Sequence, residues 1–118
     1  MKKSFLFTGV MACFLGSPQA QAQDSAVLEG FDVATADSSA GEDIYQSGCK
    51  NCHGRTGKGL ASFPRLAGNK ADYLVGRLIT YRNGETIGPN SPLMWPWAEE
   101  LSNKDIVNIT AYITTEFE

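Results

Sequence analysis

The sequence predicts an all-α domain of about three main helices joined by short turns, and three observations lead there. Apolar residues recur at helical spacing, first at Leu74, Leu78 and Tyr81 and again at Ile106, Ile109, Thr110, Ile113 and Phe117. No stretch alternates apolar and polar residues with the period of two that a half-buried strand shows. Glycine and proline gather between the periodic stretches, at Gly54–Gly68 and Gly88–Pro96, where they break regular structure.

Taken in order, the chain begins with the basic head Met1-Lys2-Lys3, the apolar run Phe5 to Leu15, then Ser17-Pro18 and the small-residue pattern Ala20-Gln21-Ala22. This reads as an export leader cleaved after Ala22, over residues 1–22. A buried N-terminal helix is the competing reading, but the run is short and the stretch from Pro18 to Ala22 carries no helical stripe. A lipid-modified Cys13 is another, which Met11 suits poorly. Residues 23–38 are rich in Asp, Ala and Ser and read as an irregular arm, with the domain proper over 39–118. Ser39-Ala40-Gly41-Glu42 fits a capping box opening a short helix into Cys49. After the Gly54–Gly68 loop, Asn69 is the expected cap of a helix that Asn83-Gly84 ends. Gly88, Pro89, Pro92 and Pro96 predict a stiff loop, with Pro96 opening a short turn. Ser102, with Asp105 at the box position, starts the last helix, whose flank is Val107, Ala111 and Tyr112.

Composition narrows the class. Of 118 residues 42% are hydrophobic, too many for a disordered tail, and no apolar run approaches the ~20 residues of a helical membrane span. A formal charge of -3 disfavours nucleic acid as a partner. Losing the first 22 of the 118 residues leaves 96, takes the charge to -5 with Lys2 and Lys3, and removes Cys13, so an odd three cysteines become two. A domain of that size commonly completes its core with a disulfide, a metal or a cofactor.

Cys49-Lys50-Asn51-Cys52-His53 indicates which. Two thiols three positions apart, followed at once by an imidazole, form the C-x-x-C-H pattern of covalent haem attachment. On one helical turn both cysteines can add to haem vinyl groups while His53, the only histidine, sits beneath the iron as proximal ligand. Competing readings are a zinc site, which lacks a fourth ligand unless a carboxylate serves, a redox dithiol, which would be expected after a strand, and a plain disulfide, which leaves His53 unexplained. The expected cofactor is therefore one haem c with its iron. Met94 is the only methionine beyond the leader, in the proline-rich stretch, and is the candidate sixth ligand. Its competing role is that of a core gap-filler.

With these residues the chain resembles the class I c-type cytochromes, in particular the short bacterial single-haem group. Besides Cys49 to Gly54, the resemblance rests on Phe63-Pro64-Arg65-Leu66-Ala67-Gly68, Tyr73-Leu74, Met94 with Ala98, Leu101 to Ile106 and Ala111-Tyr112. It implies helices wrapped around one haem, the carbonyl of Pro64 accepting the second ring N–H of His53, and a crossing of the helices led by Gly41 and Ser102 with Tyr45 and Tyr112 nearby. Trp95 and Trp97 depart from the pattern; packing in the haem pocket is the expected role, and an indole N–H on a haem propionate the alternative.

The expected function is that of an exported, periplasmic, His/Met-ligated single-electron carrier, not an enzyme. The alternatives are a dedicated haem subunit docked to a periplasmic dehydrogenase, and a five-coordinate haem peroxidase or gas sensor if Met94 is off the iron. The expected partners are redox proteins. Residues Gln23 to Gly48 hold six acids and no base, Cys49 to Arg82 seven bases and one acid, and Asn83 to Glu118 six acids and one base. A positive haem-side surface would steer partners with acidic docking surfaces; dispersed solvated charges are the plainer reading.

Overall fold

The computed structural model describes residues 29–118. The expected leader with Cys13, and residues 23–28 of the arm, lie outside the described residues. Within the rest of the arm Asp32 caps a single 3-10 turn, Val33–Thr35, its carboxylate accepting from the Ala34 N–H at 2.9 Å. Helix α1, Ser38–Ile44, starts two residues earlier than the Ser39 box requires, so that expectation is corrected. Asp37 is the cap: its carboxylate accepts from the Ala40 N–H at 3.0 Å, and its own N–H donates to the Asn108 side chain at 3.0 Å. The second bond ties the start to the last helix, 71 residues further along the chain, and selects it over a local box of similar propensity.

The same helical axis continues through one wide turn, Tyr45–Cys49, in which the Lys50 N–H reaches back to the Tyr45 carbonyl, and then through α2, Lys50–His53. A π turn inside an α-helix marks functional segments often, and here it immediately precedes the haem motif. The following loop is closed by backbone bonds. Gly59, at φ +81°, donates to the His53 carbonyl at 2.8 Å, and a Cβ there would lie 2.6 Å from the Phe63 carbonyl oxygen, so only glycine fits.

Helix α3, Ala71–Arg82, lacks the Asn69 cap expected for it. Lys70 holds that position without a side-chain bond, while the Asn69 amide donates backward to the carbonyls of Arg65 and Leu66, serving the loop instead. At the other end Gly84 donates to Tyr81 and Glu85 to Thr80, which closes the helix with glycine at φ +71° as Asn83-Gly84 predicts.

The stretch expected to be a stiff loop is helical: α4 spans Ser91–Glu99 and contains both Pro92 and Pro96. Pro92 lies in the first turn, where its missing N–H has no helical partner anyway. Pro96 forfeits one interior bond, and tertiary bonds offset it. The buried Ser91 hydroxyl accepts from the N–H groups of Ile87 and Gly88 at 2.8 and 2.9 Å, and the Trp95 indole donates to the Glu85 carbonyl at 3.0 Å. Helix α5, Asn103–Glu116, opens with both bonds of the Ser102/Asp105 box in place. Its residues Ile106 to Ile113 are all buried.

The architecture is all-α, with no strand among the described residues. Helices α1 and α5 make the most extensive packing contact. They cross at Gly41, where a Cβ would stand 1.9 Å from the Asn108 carbonyl oxygen. Beside the crossing Tyr45, Tyr112 and Phe117 form an aromatic triad with centroids 5.1 to 5.6 Å apart, the centre of a cluster that adds Ala67, Leu74, Ile109 and Ile113.

Candidate functional site

Between this cluster and α4 lies a cavity of about 490 Å³. Cys49, Cys52 and His53 line it from the first helix, Pro64 from the glycine-rich loop, and Met94 from α4, so five residues from three segments face one space. Leu74 and Leu78 of α3 and Ile109 and Ile113 of α5 complete much of an apolar wall. The helical repeat brings the motif together: Cys49, Cys52 and His53 stand at i, i+3 and i+4 on one face.

His53 is 6% exposed, and its Nδ1 lies 2.9 Å from the Pro64 carbonyl oxygen. A carbonyl only accepts, so Nδ1 carries the proton and Nε2 keeps its lone pair for a ligand bond. The buried Tyr45 hydroxyl donates to the Gly54 carbonyl at 2.6 Å, tying the residue after the histidine to the aromatic triad. Nothing in the sequence signals that bond: there Tyr45 is placed only near the helix crossing, by the family resemblance. Burial pushes the Tyr45 phenol up to about 12, with the charges of Cys49 and Tyr112 adding to the shift.

These features fit covalent haem better than the competing readings. Cys49 and Cys52 are not bonded to each other. Burial raises the Cys49 thiol to about 11, so it is no poised thiolate of the kind a redox dithiol needs. Among the described residues no three His, Cys, Asp or Glu side chains converge on a metal-holding position. A broad apolar crevice with an imidazole Nε2 and a thioether on its walls suits a flat apolar macrocycle with two axial positions.

The two tryptophans divide. Trp97 lines the cavity, whereas Trp95 is not among the lining residues and its N–H is engaged by Glu85. Pocket packing therefore holds for Trp97 alone, and the bond to Glu85 removes Trp95 as a propionate donor. The basic residues divide as well. Arg65 donates to the carbonyls of Ala67 and Glu118, Arg82 to that of Leu101, and Arg77 lies 5.0 Å over the Tyr73 ring, while Arg55, Lys58 and Lys70 are exposed.

Helices folded about such a crevice, with the attachment motif at its edge, define an electron-transport haem protein, and the chain belongs to the class I c-type cytochromes and carries one covalent haem c with its iron. The family described as "Cytochrome C oxidase, cbb3-type, subunit III" matches residues 36–113. The chain is 43% identical over 81 residues to cytochrome c-554(548) of Halomonas halodenitrificans, covering 68% of this chain and 96% of that protein. It is 34% identical over 97 residues to the thiosulfate dehydrogenase electron acceptor of Stutzerimonas stutzeri, covering 74% of this chain and 42% of that one. Among solved structures the cytochrome c4 of Acidithiobacillus ferrooxidans superposes with a TM-score of 0.61 at 28% identity, over 68% of this chain; the chain spans about half, 49%, of that structure.

Proposed function

We propose that this cytochrome is a periplasmic single-electron carrier, exported by its N-terminal leader, whose haem is held by thioether bonds from Cys49 and Cys52 and whose iron is ligated by His53 and Met94. The observation that carries this reading is the meeting of His53 and Met94 on the walls of one apolar cavity, with the His53 tautomer set by Pro64. The bound haem supplies a ferric–ferrous couple. His53 and Met94, from separate segments, would both bond the iron, which would leave it no coordination site for a substrate and suits a carrier more than an enzyme. A thioether ligand also raises the reduction potential relative to two imidazoles. The apolar walls from Leu74, Leu78, Ile109 and Ile113 keep water from the ring.

An absorption spectrum of the oxidised protein tests the ligand set. A weak far-red methionine-to-iron band is expected, absent in Met94→Ala. A wild-type spectrum without that band, together with ready carbon monoxide binding to the reduced form, would overturn the carrier reading in favour of an open haem.

A second reading, service to one dehydrogenase, draws support from the printed name of the Stutzerimonas stutzeri relative. It predicts co-purification with a partner, and a monomer that reduces several partners equally would exclude it. The exposed Arg55 and Lys58, which closely follow the haem motif in the chain, support partners with acidic docking surfaces. Partner reduction that slows as salt is added is then expected, and a flat response removes the steering.

A further inference from the structure

Met94 sits on a helix of nine residues that contains two prolines, so its placement depends on what braces that helix. Two braces are local. The Ser91 hydroxyl and the Trp95 indole bond to backbone between Glu85 and Gly88, and so fasten α4 to the loop that leads into it. Neither reaches the helix that carries Cys49, Cys52 and His53. Towards that helix α4 faces a second cavity of about 330 Å³, lined by Ile44, Gly48 and Cys49 on one side and by Met94, Trp97 and Leu101 on the other.

Trp97 spans this gap. It stands three residues after Met94 and so on the same face of α4. Its ring lies against Gly48, the residue before Cys49, closely enough that a Cβ there would be 2.5 Å from Cζ3 and 2.9 Å from Cε3. Gly48 is buried, whereas Trp97 is 55% exposed. A half-exposed indole contributes less to the core than a buried one. Its contact joins the segment bearing the candidate methionine to the segment bearing the haem motif.

We propose that Trp97 is a positioning residue for Met94: seated on Gly48, its ring sets the separation between α4 and the haem-bearing helix and so holds the thioether at its ligating distance. This rests on Met94 being the sixth ligand. Gly48 then serves as the seat of the ring, a role beyond tolerance of the π turn.

The test uses the haem-loaded protein and its Trp97→Ala, Trp97→Phe, Gly48→Ala and Met94→Ala variants. Three quantities are read: the far-red band, the affinity of the oxidised protein for added imidazole, which displaces methionine, and the urea midpoint under saturating imidazole. Trp97→Ala and Gly48→Ala are expected to weaken the band and bind imidazole about tenfold more tightly, the scale of one lost aromatic contact. Trp97→Phe, which keeps a ring over Gly48, should recover most of the wild-type behaviour. The urea midpoint under saturating imidazole should stay close to wild type, because Met94 is then off the iron in every variant. A full band with wild-type imidazole affinity in Trp97→Ala overturns the role of Trp97 alone. So does a phenylalanine variant no better than alanine, or a fall in midpoint large enough to account for the loss. A wild-type protein without the band overturns Met94 ligation and this proposal with it, a result distinguishable from the others because Met94→Ala then changes nothing.

Discussion

Where α1 crosses α5, Gly41 lets the two backbones meet so closely that a methyl group would overlap the Asn108 carbonyl, and three aromatic rings close the space beside it. Elsewhere α4 faces the haem-bearing helix with the half-exposed Trp97 indole against Gly48, and cavities of about 490 and 330 Å³ lie between the helices. The first region is completed by the chain's own atoms. The second is a wall shaped for a body that the chain does not supply. A protein of this size can thus keep one tight interface while leaving the rest of its interior to haem.

The largest effect should come from withholding that body. Left without haem, a 490 Å³ crevice with largely apolar walls fills with water, and a domain of this size has little other core to offset that exposure. The Cys49→Ser, Cys52→Ser double variant, prepared free of haem, is therefore expected to show no cooperative urea transition by circular dichroism. A sharp transition would mean that the crevice collapses without haem and that the two regions differ less than their packing implies.

The next effect breaks the other side. Gly41→Ala in the holoprotein sets a Cβ against backbone that cannot swing away, and overpacking of this kind costs about 3 kcal/mol or more. Alanine otherwise favours a helix over glycine by about 1 kcal/mol, so a lowered urea midpoint isolates the close approach. An unchanged or raised midpoint would show that the crossing can open.

The smallest sharpens the link between the regions, which is Tyr45. Its ring belongs to the triad and its hydroxyl to the turn after His53. Burial holds the phenol near 12 in the folded protein against an ordinary value near 10, so the folded state keeps a proton that the unfolded state releases. Stability is then unaffected by this group well below pH 10 and falls as the pH rises from 10 toward 12, by less than ~3 kcal/mol, because the Cys49 charge that adds to the shift is absent once that thiol is a haem thioether. In Tyr45→Phe that part of the alkaline loss should vanish, at the expense of about 1 kcal/mol at neutral pH for the bond to Gly54. Parallel alkaline slopes for the two proteins, in urea midpoints read between pH 9 and 12, would remove Tyr45 as the cause.

Legibility followed the range of the interactions. The Ser102/Asp105 box, the stripe along α5 and the Asn83-Gly84 stop are local patterns, and each forms where the residues indicate. Asn69 and Ser39 carry the right chemistry for caps and are not caps, because Asn69 is taken up by the Arg65 and Leu66 carbonyls and the true start is set by Asp37 on Asn108. Pro92 and Pro96 read as loop, yet Ser91 and Trp95 hold that stretch helical through bonds to residues 85–88. At the site, the motif from Cys49 to His53 and the lone Met94 stand out by composition and spacing. Tyr45 and Trp97 stand out less: the resemblance puts Tyr45 near the helix crossing and pocket packing is expected of Trp97, but the bond to Gly54 and the contact with Gly48 leave no mark in the sequence.

By itself the sequence determined the helical class and the kind of cofactor, because covalent attachment needs two thiols and an imidazole on one turn and that turn is contiguous in the chain. Only the tertiary structure decided that Met94 rides on a helix, that it shares a cavity with His53 and that Trp97 rests on Gly48, and it sets the Pro64 carbonyl 2.9 Å from His53 Nδ1, as the family resemblance implied. Those relations join residues 11 to 49 positions apart in the chain. Spacing along the sequence carries no record of such distances; packing does.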